Sequence, residues 1–260
     1  MLRRFYLENT AGLGQGGSIQ GPDAKHIRTV LRMKAGDHLI VFDGQGNDFE
    51  AEIEQVTTTD IKIVPLKKVK MKTDSPVQIT LAQAMLKGKK MDLLARQITE
   101  LGIARWMPFI SERAVPTPKS DKQKKRLQRW QTIMVESLKQ CRRSRLPRID
   151  PVVSFEQALE AAEEVNFKLI FWEEETQSLH ETLAKAPKDQ SPIFAVLGPE
   201  GGFSEAEINF AKSLGYHSVS LGPRILKAET ATVTVCALLQ YHFGDLRGNP
   251  KRTVKGQVLI

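Results

Sequence analysis

The chain has 260 residues and 41% hydrophobic content, which suffices for one large domain or two ordinary domains with packed cores. No apolar run approaches the ~20 residues that a membrane helix needs, and the first residues lack the apolar region of a signal peptide. The two cysteines make neither a disulfide framework nor a metal motif, so we expect a cytoplasmic protein.

Positive charge is concentrated in one part of the sequence. The net charge is +8, yet residues 113–148 alone carry twelve Lys/Arg against two Asp/Glu, and residues 150–190 carry ten acids against three bases. Such a concentration is typical of a protein that binds a nucleic-acid backbone, although a solvated helix face gives the same pattern. Further basic stretches at 67–72 and 87–90 favour an RNA partner.

The first 72 residues predict a small β-rich domain. One helix is expected over 23–33, ending before Gly36. Short alternating or apolar runs predict strands at 38–42, 48–53 and 60–64. A short helix among small strands indicates a barrel, and the basic stretch at 67–72 with the residues up to 76 reads as a linker.

From residue 77 the pattern changes to strands that alternate with helices. Apolar runs predict strands at 77–82, 106–110, 168–172, 193–197 and 218–221. Helical spacing marks residues 91–101 and 127–138, Ser204 and Glu207 form a capping box, and the apolar segment 231–243 predicts a buried helix. This alternation predicts an α/β domain with a mostly parallel sheet and helices on both faces.

Two Gly-Pro loops follow strands of this second part. They read Leu-Gly-Pro-Glu-Gly-Gly at 197–202 and Leu-Gly-Pro-Arg-Ile-Leu at 221–226. Loops at strand ends are where α/β proteins usually hold small ligands. The first loop lacks the Gly-Lys-Ser/Thr of a phosphate loop, and Glu200 suits a cationic ligand. An ordinary tight turn and an ordinary piece of core explain the two sequences as well.

Both loops resemble those of the ribosomal RNA small subunit methyltransferase E family. The resemblance runs from Arg3-Arg4-Phe5-Tyr6 to Phe243-Gly244-Asp245 and includes Gln140-Cys-Arg-Arg-Ser-Arg-Leu-Pro147. It implies S-adenosylmethionine-dependent methylation of N3 of a uridine in 16S rRNA of the small ribosomal subunit, and a homodimer. It also implies a PUA-like domain at 1–72 and a SPOUT-type, trefoil-knotted methyltransferase domain at 73–246. Residues 247–260 extend past the usual end of the family and read as a flexible basic tail.

The resemblance also implies which residues form the sites. Nine residues of the two loops are expected to bind the methyl donor: Leu197, Gly198, Glu200, Gly201, Gly202, Leu221, Gly222, Ile225 and Leu226. Ten residues are expected to contact RNA: Arg3, Arg4, Arg28, Arg32, Lys87, Lys89, Arg113, Gln140, Arg142 and Arg145.

Three residues are candidates for the chemistry: Arg143, Arg224 and Glu229. Arg143 is a candidate cation at the catalytic site, but a plain phosphate contact fits it equally. Glu229 is a base, a sulfonium partner or simply the acidic first turn of the last helix. The family commonly has Gly at Arg142 and Arg at Lys227, so this chain departs from it at both positions.

The five histidines lie far apart without metal-ligand spacing, so no metal is expected. Two other functions stay open at this point. The chain is either a non-catalytic RNA-binding or ribosome-assembly protein, or a SPOUT methyltransferase that acts on another RNA. Donor binding separates the first of these from an enzyme, and the identity of the methylated RNA separates the second.

Overall fold

The computed structural model describes residues 2–8, 10, 13, 16–114, 120–186 and 192–248. The chain divides into two compact units, Met1–Asp74 with Arg126–Pro147 and Ser75–Lys125 with Arg148–Ile260. The predicted tail lies outside the described residues from position 249 onwards. Among the helices in the described ranges, none is long and apolar enough to cross a membrane.

Twelve strands and seven α-helices make up the described parts of both units. The strands are β1 Arg4–Tyr6, β2 Gly17–Gln20, β3 His38–Phe42, β4 Asp48–Val56, β5 Asp60–Val69, β6 Ile79–Ala84, β7 Arg105–Ile110, β8 Arg148–Ile149, β9 Val153–Ser154, β10 Phe167–Phe171, β11 Ile193–Leu197 and β12 His217–Val219. The helices are α1 Gly21–Lys25, α2 Lys90–Glu100, α3 Ser120–Cys141, α4 Phe155–Glu160, α5 Leu179–Ala184, α6 Glu205–Ser213 and α7 Ala228–His242.

The first unit is built on a five-stranded sheet with the strand order β1-β3-β4-β5-β2. Strand β1 runs parallel to β3, and the other neighbouring pairs are antiparallel. The predicted strands are therefore confirmed, and within the described residues the five strands form one sheet. Strand β5 continues to Val69, so the first residues of the predicted linker at 67–72 belong to a strand instead. Buried aliphatic residues from β3, β4 and β5, among them Leu39, Ile53 and Ile61, pack into one core.

The helix predicted over 23–33 is confirmed as a continuous helical segment, but only its first part is α-helical. Helix α1 ends at Lys25, and residues His26–Leu31 form a π-helical turn that ends at Arg32 with a φ of 53°. Thr29 donates a hydrogen bond from Oγ1 to the Lys25 carbonyl, and Thr29 and Val30 are β-branched. Both features weaken a regular α-helix, and π-helices, although rare, occur mostly as single turns within α-helices.

The second unit holds a parallel sheet with the order β12-β10-β11-β6-β7-β8, and β9 also pairs with β7. Every pairing within this sheet is parallel, which confirms the predicted mostly parallel sheet. The predicted capping box is confirmed as well, because Ser204 Oγ accepts from the Glu207 backbone N–H while the Glu207 carboxylate accepts from the Ser204 N–H.

Helix α7 differs from the predicted fully buried helix. Thr232, Val235 and Leu239 are fully buried on one side, but Leu238 is 39% and Tyr241 is 55% exposed. The helix therefore has two apolar faces. One packs inside the second unit, and the other is exposed to solvent. Apolar periodicity alone does not separate these two cases, since both faces carry similar residues.

Candidate functional site

Both Gly-Pro loops leave the same edge of the parallel sheet. Strand β10 lies between β11 and β12, with Phe171 opposite both Leu197 and Val219 in register. The two loops that follow β11 and β12 therefore begin at the carboxyl edge on either side of β10. Ligands in α/β sheets bind at this edge.

A cavity of about 930 Å³ lies between the two loops and the segment after β10. Eight of the nine predicted donor-binding residues line it: Leu197, Gly198, Glu200, Gly202, Leu221, Gly222, Ile225 and Leu226. Gly201 lies in the same turn but outside the cavity wall. A Cβ at this position would lie 3.1 Å from Cβ of Arg113, so a side chain here would point toward Arg113.

Of the two neighbouring glycines, Gly202 is the less tolerant of a side chain. Its φ is 69°, in the left-handed region, and a Cβ there would collide with the Glu173 carboxylate. The Gly202 N–H donates to the Pro199 carbonyl at 3.1 Å, which closes the turn. The left-handed backbone conformation therefore favours glycine at position 202, and a side chain there would also have to displace the exposed Glu173 carboxylate.

The second loop presents aliphatic side chains to the cavity. Ile225 is 87% exposed, although an isoleucine is usually buried. Leu221 and Leu226, also in the cavity wall, are half-buried. An exposed aliphatic side chain at a cavity mouth is suited to cover a flat apolar group, because burial of its surface would then be favourable.

Lys90 connects carboxylates from the first loop and from α7. Its Nζ lies 3.1 Å from Glu200 Oε1 and 3.0 Å from Glu229 Oε2. Glu200 Oε1 also accepts the Lys87 backbone N–H at 3.0 Å. Burial opposes ionisation of Glu200, but the Lys87 N–H and the Lys90 ammonium outweigh it and lower the pKa of Glu200. Glu200 is thus held as a carboxylate within the protein.

Glu229 lies in the first turn of α7, as one of its predicted roles requires. Burial opposes its ionisation, but its own backbone N–H and Lys90 lower the pKa of Glu229 below the ordinary value. A general base works best with a pKa near the operating pH, so a lowered pKa makes Glu229 a weak base. Its ion pair with Lys90 favours the structural role.

The wall formed after β10 is acidic. It includes Trp172, Glu173, Glu174 and Glu175. Burial disfavours ionised Glu175, but hydrogen bonds from Lys212, Ser218 and the following backbone outweigh it and lower the pKa of Glu175 to about 2. Glu175 Oε2 lies 3.0 Å from Lys212 Nζ, so it anchors the wall.

Arg143 is in the first unit and is buried. Its side chain is 6% exposed, and its Nε lies 3.4 Å from Asp74 Oδ1. Asp74 also accepts the backbone N–H groups of Ser144 and Arg145 at 3.3 and 3.2 Å. These contacts give Arg143 a part in ordering the loop at 142–145, and its catalytic role stays a prediction. Arg224, in the second unit, is exposed in the cavity wall.

Arg4 has a different environment from the one expected of an RNA contact. Its side chain is 4% exposed, its Nη2 lies 2.7 Å from Asp48 Oδ1, and its guanidinium lies 4.5 Å from the centre of the Phe42 ring. A guanidinium that is used inside the first unit is not available to a polynucleotide, which argues against the predicted contact. Arg28 is half-buried and donates to the backbone carbonyls of Thr57 and Thr58.

The other predicted RNA contacts are accessible. Arg142 is half-buried and has a φ of 67°. Seven are exposed on one unit or the other: Arg3, Arg32, Lys87, Lys89, Arg113, Gln140 and Arg145. Arg113 also donates from Nη1 to the carbonyls of Gly201 and Phe203 at 3.3 and 3.4 Å, so it supports the first loop.

Two polar residues near the cavity were not predicted. Lys90 sits within a basic stretch, and nothing in its sequence separates it from Lys87 and Lys89. Gln83 is fully buried at the end of β6, where its Nε2 donates to the Gly198 carbonyl at 3.3 Å. For Gln83, the only sign in the sequence is a single amide side chain in a mostly apolar strand. No group of metal-ligating side chains occurs within the described ranges.

The chain is similar to known RNA methyltransferases over nearly all of its length. Residues 73–240 match the model of an RNA methyltransferase domain, and residues 19–66 match that of an RNA methyltransferase PUA domain. Ribosomal RNA small subunit methyltransferase E of Bacillus subtilis is 30% identical, over 89% of this chain and 92% of its own. The Buchnera aphidicola (subsp. Schizaphis graminum) enzyme of the same name is 31% identical, over 94% and 97%.

Solved structures give the same result. A Legionella pneumophila protein in complex with S-adenosylmethionine has a TM-score of 0.86 and 31% identity, with 95% of this chain and 100% of that chain covered. A ribosomal RNA small subunit methyltransferase E from Neisseria gonorrhoeae, bound to S-adenosylmethionine, has a TM-score of 0.83 and 29% identity, with 94% and 99% covered. These matches confirm the predicted α/β, SPOUT-type methyltransferase fold with an N-terminal PUA domain.

Proposed function

Because this chain belongs to the ribosomal RNA small subunit methyltransferase E family, we propose that it transfers a methyl group from S-adenosylmethionine to N3 of a uridine in 16S rRNA. The observation that carries the proposal is the convergence of both Gly-Pro loops on one 930 Å³ cavity at the carboxyl edge of the sheet. That volume lies in the range of small-molecule sites.

The cavity wall suits S-adenosylmethionine in shape and charge. Leu221, Ile225 and Leu226 offer aliphatic surface for the adenine, and the glycine turn at 198–202 leaves backbone accessible. The acidic wall, with Glu173 and the neighbouring Glu174 both exposed, suits a ligand that carries positive charge. When bound, S-adenosylmethionine supplies an electrophilic methyl group on its sulfonium.

The protein's contribution to the chemistry is orientation and charge stabilisation. Transfer of the N3 proton to a base in the solvent leaves negative charge on N3 and the uracil carbonyl oxygens, and a nearby guanidinium stabilises such charge. Arg224 is exposed at the cavity wall and is suited to this task. Glu229 is assigned to positioning, because its ion pair with Lys90 and its lowered pKa make it a weak proton acceptor.

RNA recognition is assigned to the exposed basic residues of both units and to the PUA domain. N3 lies on the Watson–Crick edge of uridine, so the target base must be unpaired or extruded before it reaches the cavity. Exposed Lys and Arg side chains bind phosphates and position the strand, whereas sequence is read at the base itself. This division predicts salt-sensitive RNA binding and salt-insensitive donor binding.

We further propose that the protein is a homodimer. Leu238 and Tyr241 on α7 are exposed apolar side chains, and they border a second cavity of about 520 Å³ together with Leu179 and Leu183. A two-fold interface buries such a surface on both copies at once, and two-fold dimers are the commonest oligomers.

Mass spectrometry of rRNA from cells that lack this protein tests the proposed activity. We expect one N3-methyluridine to disappear from 16S rRNA and to return when the gene is restored. An unchanged 16S rRNA together with a lost methyl group in tRNA or 23S rRNA would assign the chain to another RNA. No change in any RNA, with no donor binding by the purified protein, would favour a non-catalytic ribosome-assembly role.

A further inference from the structure

We propose that Lys90 and Gln83 form a two-point brace that fixes the first loop of the cavity to helix α7. The proposal rests on the proposed function, since it takes the cavity to be the S-adenosylmethionine site. Neither residue is offered as a group that touches the reacting atoms. Both are positioning residues, and they act through the loop at 198–202 and through the start of α7.

The outer point of the brace is Lys90. Its Nζ bridges Glu200 of the first loop and Glu229 of α7 at 3.1 and 3.0 Å, and its side chain is 33% exposed. The hydrogen bonds that Lys90 donates to the Glu229 and Glu200 carboxylates raise the pKa of Lys90, so the ammonium persists through the physiological range. The Lys87 N–H holds the same Glu200 oxygen, which ties the first loop to the turn before α2.

The inner point of the brace is Gln83. Its side chain is fully buried, and its Oε1 accepts a hydrogen bond from Thr232 Oγ1 of α7 at 2.6 Å. Its Nε2 donates to the carbonyl of Gly198 at 3.3 Å and to that of Ala84 at 3.1 Å. A single amide therefore joins the first residue of the loop turn to a fully buried residue one turn into α7.

The two points act on the same pair of elements from opposite sides of the loop. Gln83 holds the beginning of the loop from the sheet side, and Lys90 holds Glu200 from the solvent side. The loop's position therefore depends on where α7 begins, and α7 begins directly after the second loop of the cavity. A ligand that needs both loops in register binds well only while the brace is intact.

A positioning role for Lys90 and direct attraction of the donor by the carboxylates predict different effects of removing Lys90 on ligand affinity. If Glu200 and Glu229 attracted the donor's sulfonium directly, removal of Lys90 would leave two uncompensated carboxylates and strengthen binding of the cation. If Lys90 instead fixes the position of the first loop relative to α7, its removal lowers the affinity for any ligand that spans the two loops, whatever the charge of that ligand. S-adenosylhomocysteine has the same skeleton without the sulfonium charge, so the pair of ligands separates the two cases.

Calorimetry on the full chain tests this with Lys90→Met, Lys90→Arg and wild type. We expect Lys90→Met to lower the affinities for S-adenosylmethionine and S-adenosylhomocysteine equally, by roughly three- to tenfold. The loss is modest because each partly exposed ion pair contributes little alone. Lys90→Arg keeps a cation with several donors and should recover most of the affinity. In methylation assays the donor KM should rise while the RNA KM stays unchanged, which a general loss of stability would not produce.

Lys67→Met is the matched control for the calorimetry alone, because Lys67 pairs with Glu50 at 3.0 Å in the first unit and its loss should leave donor affinity unchanged. Tighter S-adenosylmethionine binding by Lys90→Met, or wild-type affinity for both ligands, would overturn the outer point. Gln83→Met tests the inner point, with a thermal midpoint measured beside it. Wild-type affinity in a folded Gln83→Met protein would overturn it. Failure of wild type to bind S-adenosylmethionine would instead contradict the proposed function.

Discussion

Two adjacent glycines of the first loop have different surroundings and should respond differently to the same substitution. Gly202→Ala places a Cβ against Glu173 at a φ of 69°, which costs ~1 kcal/mol in backbone strain before any steric effect. We expect donor affinity measured by calorimetry to fall about tenfold, since Glu173 and the loop must both shift.

Gly201→Ala is the matched variant, because its Cβ would meet Arg113 at 3.1 Å and point away from the cavity. We expect its donor affinity to change less than about threefold. If Gly201→Ala lost more affinity than Gly202→Ala, the assignment of the cavity wall in this loop would be wrong.

At the level of residues, the sequence predicted the two loops that line the candidate cavity but not the partners of their side chains. The glycine pattern was enough to predict both loops, because few other residues permit such turns. The same sequence suggested that Glu200 faces a sulfonium, whereas its Oε1 is used by Lys87 and Lys90. In the sequence, nothing distinguishes Arg4 or Lys90 from basic residues that are accessible to RNA. Only the folded structure shows that both are paired with carboxylates.

Helix α3 is the element that best explains the basic charge of the chain. Trp130, Met134 and Leu138 are buried along one face, as their spacing predicts, while Lys124 and Lys125 are exposed. Basic residues that are not needed for packing are available to phosphates. Each phosphate contact contributes roughly −0.7 to −0.9 to the slope of log affinity against log salt.

Replacement of Lys124, Lys125 and Arg126 by Ala should therefore weaken rRNA binding and make its salt dependence shallower by roughly two units. Filter binding at several salt concentrations measures the slope, and calorimetry should give wild-type donor affinity. An unchanged slope would mean that these residues form a solvated helix face without a nucleic-acid role.

Elements were predictable where one physical signal dominated. Most residues of the longer parallel strands β6, β7, β10 and β11 are apolar, and the Ser204 capping box marks the start of α6. The apolar spacing of segment 23–33 predicts a helix, but it does not distinguish an α-helix from the π-helical turn found at His26–Leu31. Strands β8 and β9, with two residues each, are too short to give any periodic signal.

At the scale of the whole molecule, the exposed side of α7 predicts self-association. Leu238→Glu would place a charge on this apolar surface, so we expect light scattering to give a dimer mass for wild type and a monomer mass for the variant. Val64→Glu is the control, because Val64 is 40% exposed in the first unit. A wild-type monomer with full activity would contradict the proposed dimer.

The proposed activity of this chain is methylation of N3 of a uridine in 16S rRNA. The most direct measurement combines purified protein, isotopically labelled S-adenosylmethionine and small subunits from cells that lack the protein, followed by nucleoside mass spectrometry. We expect label in N3-methyluridine at one position of 16S rRNA. Label on a ribose 2′-oxygen or on another base, or no transfer to any RNA by protein that binds the donor, would contradict it.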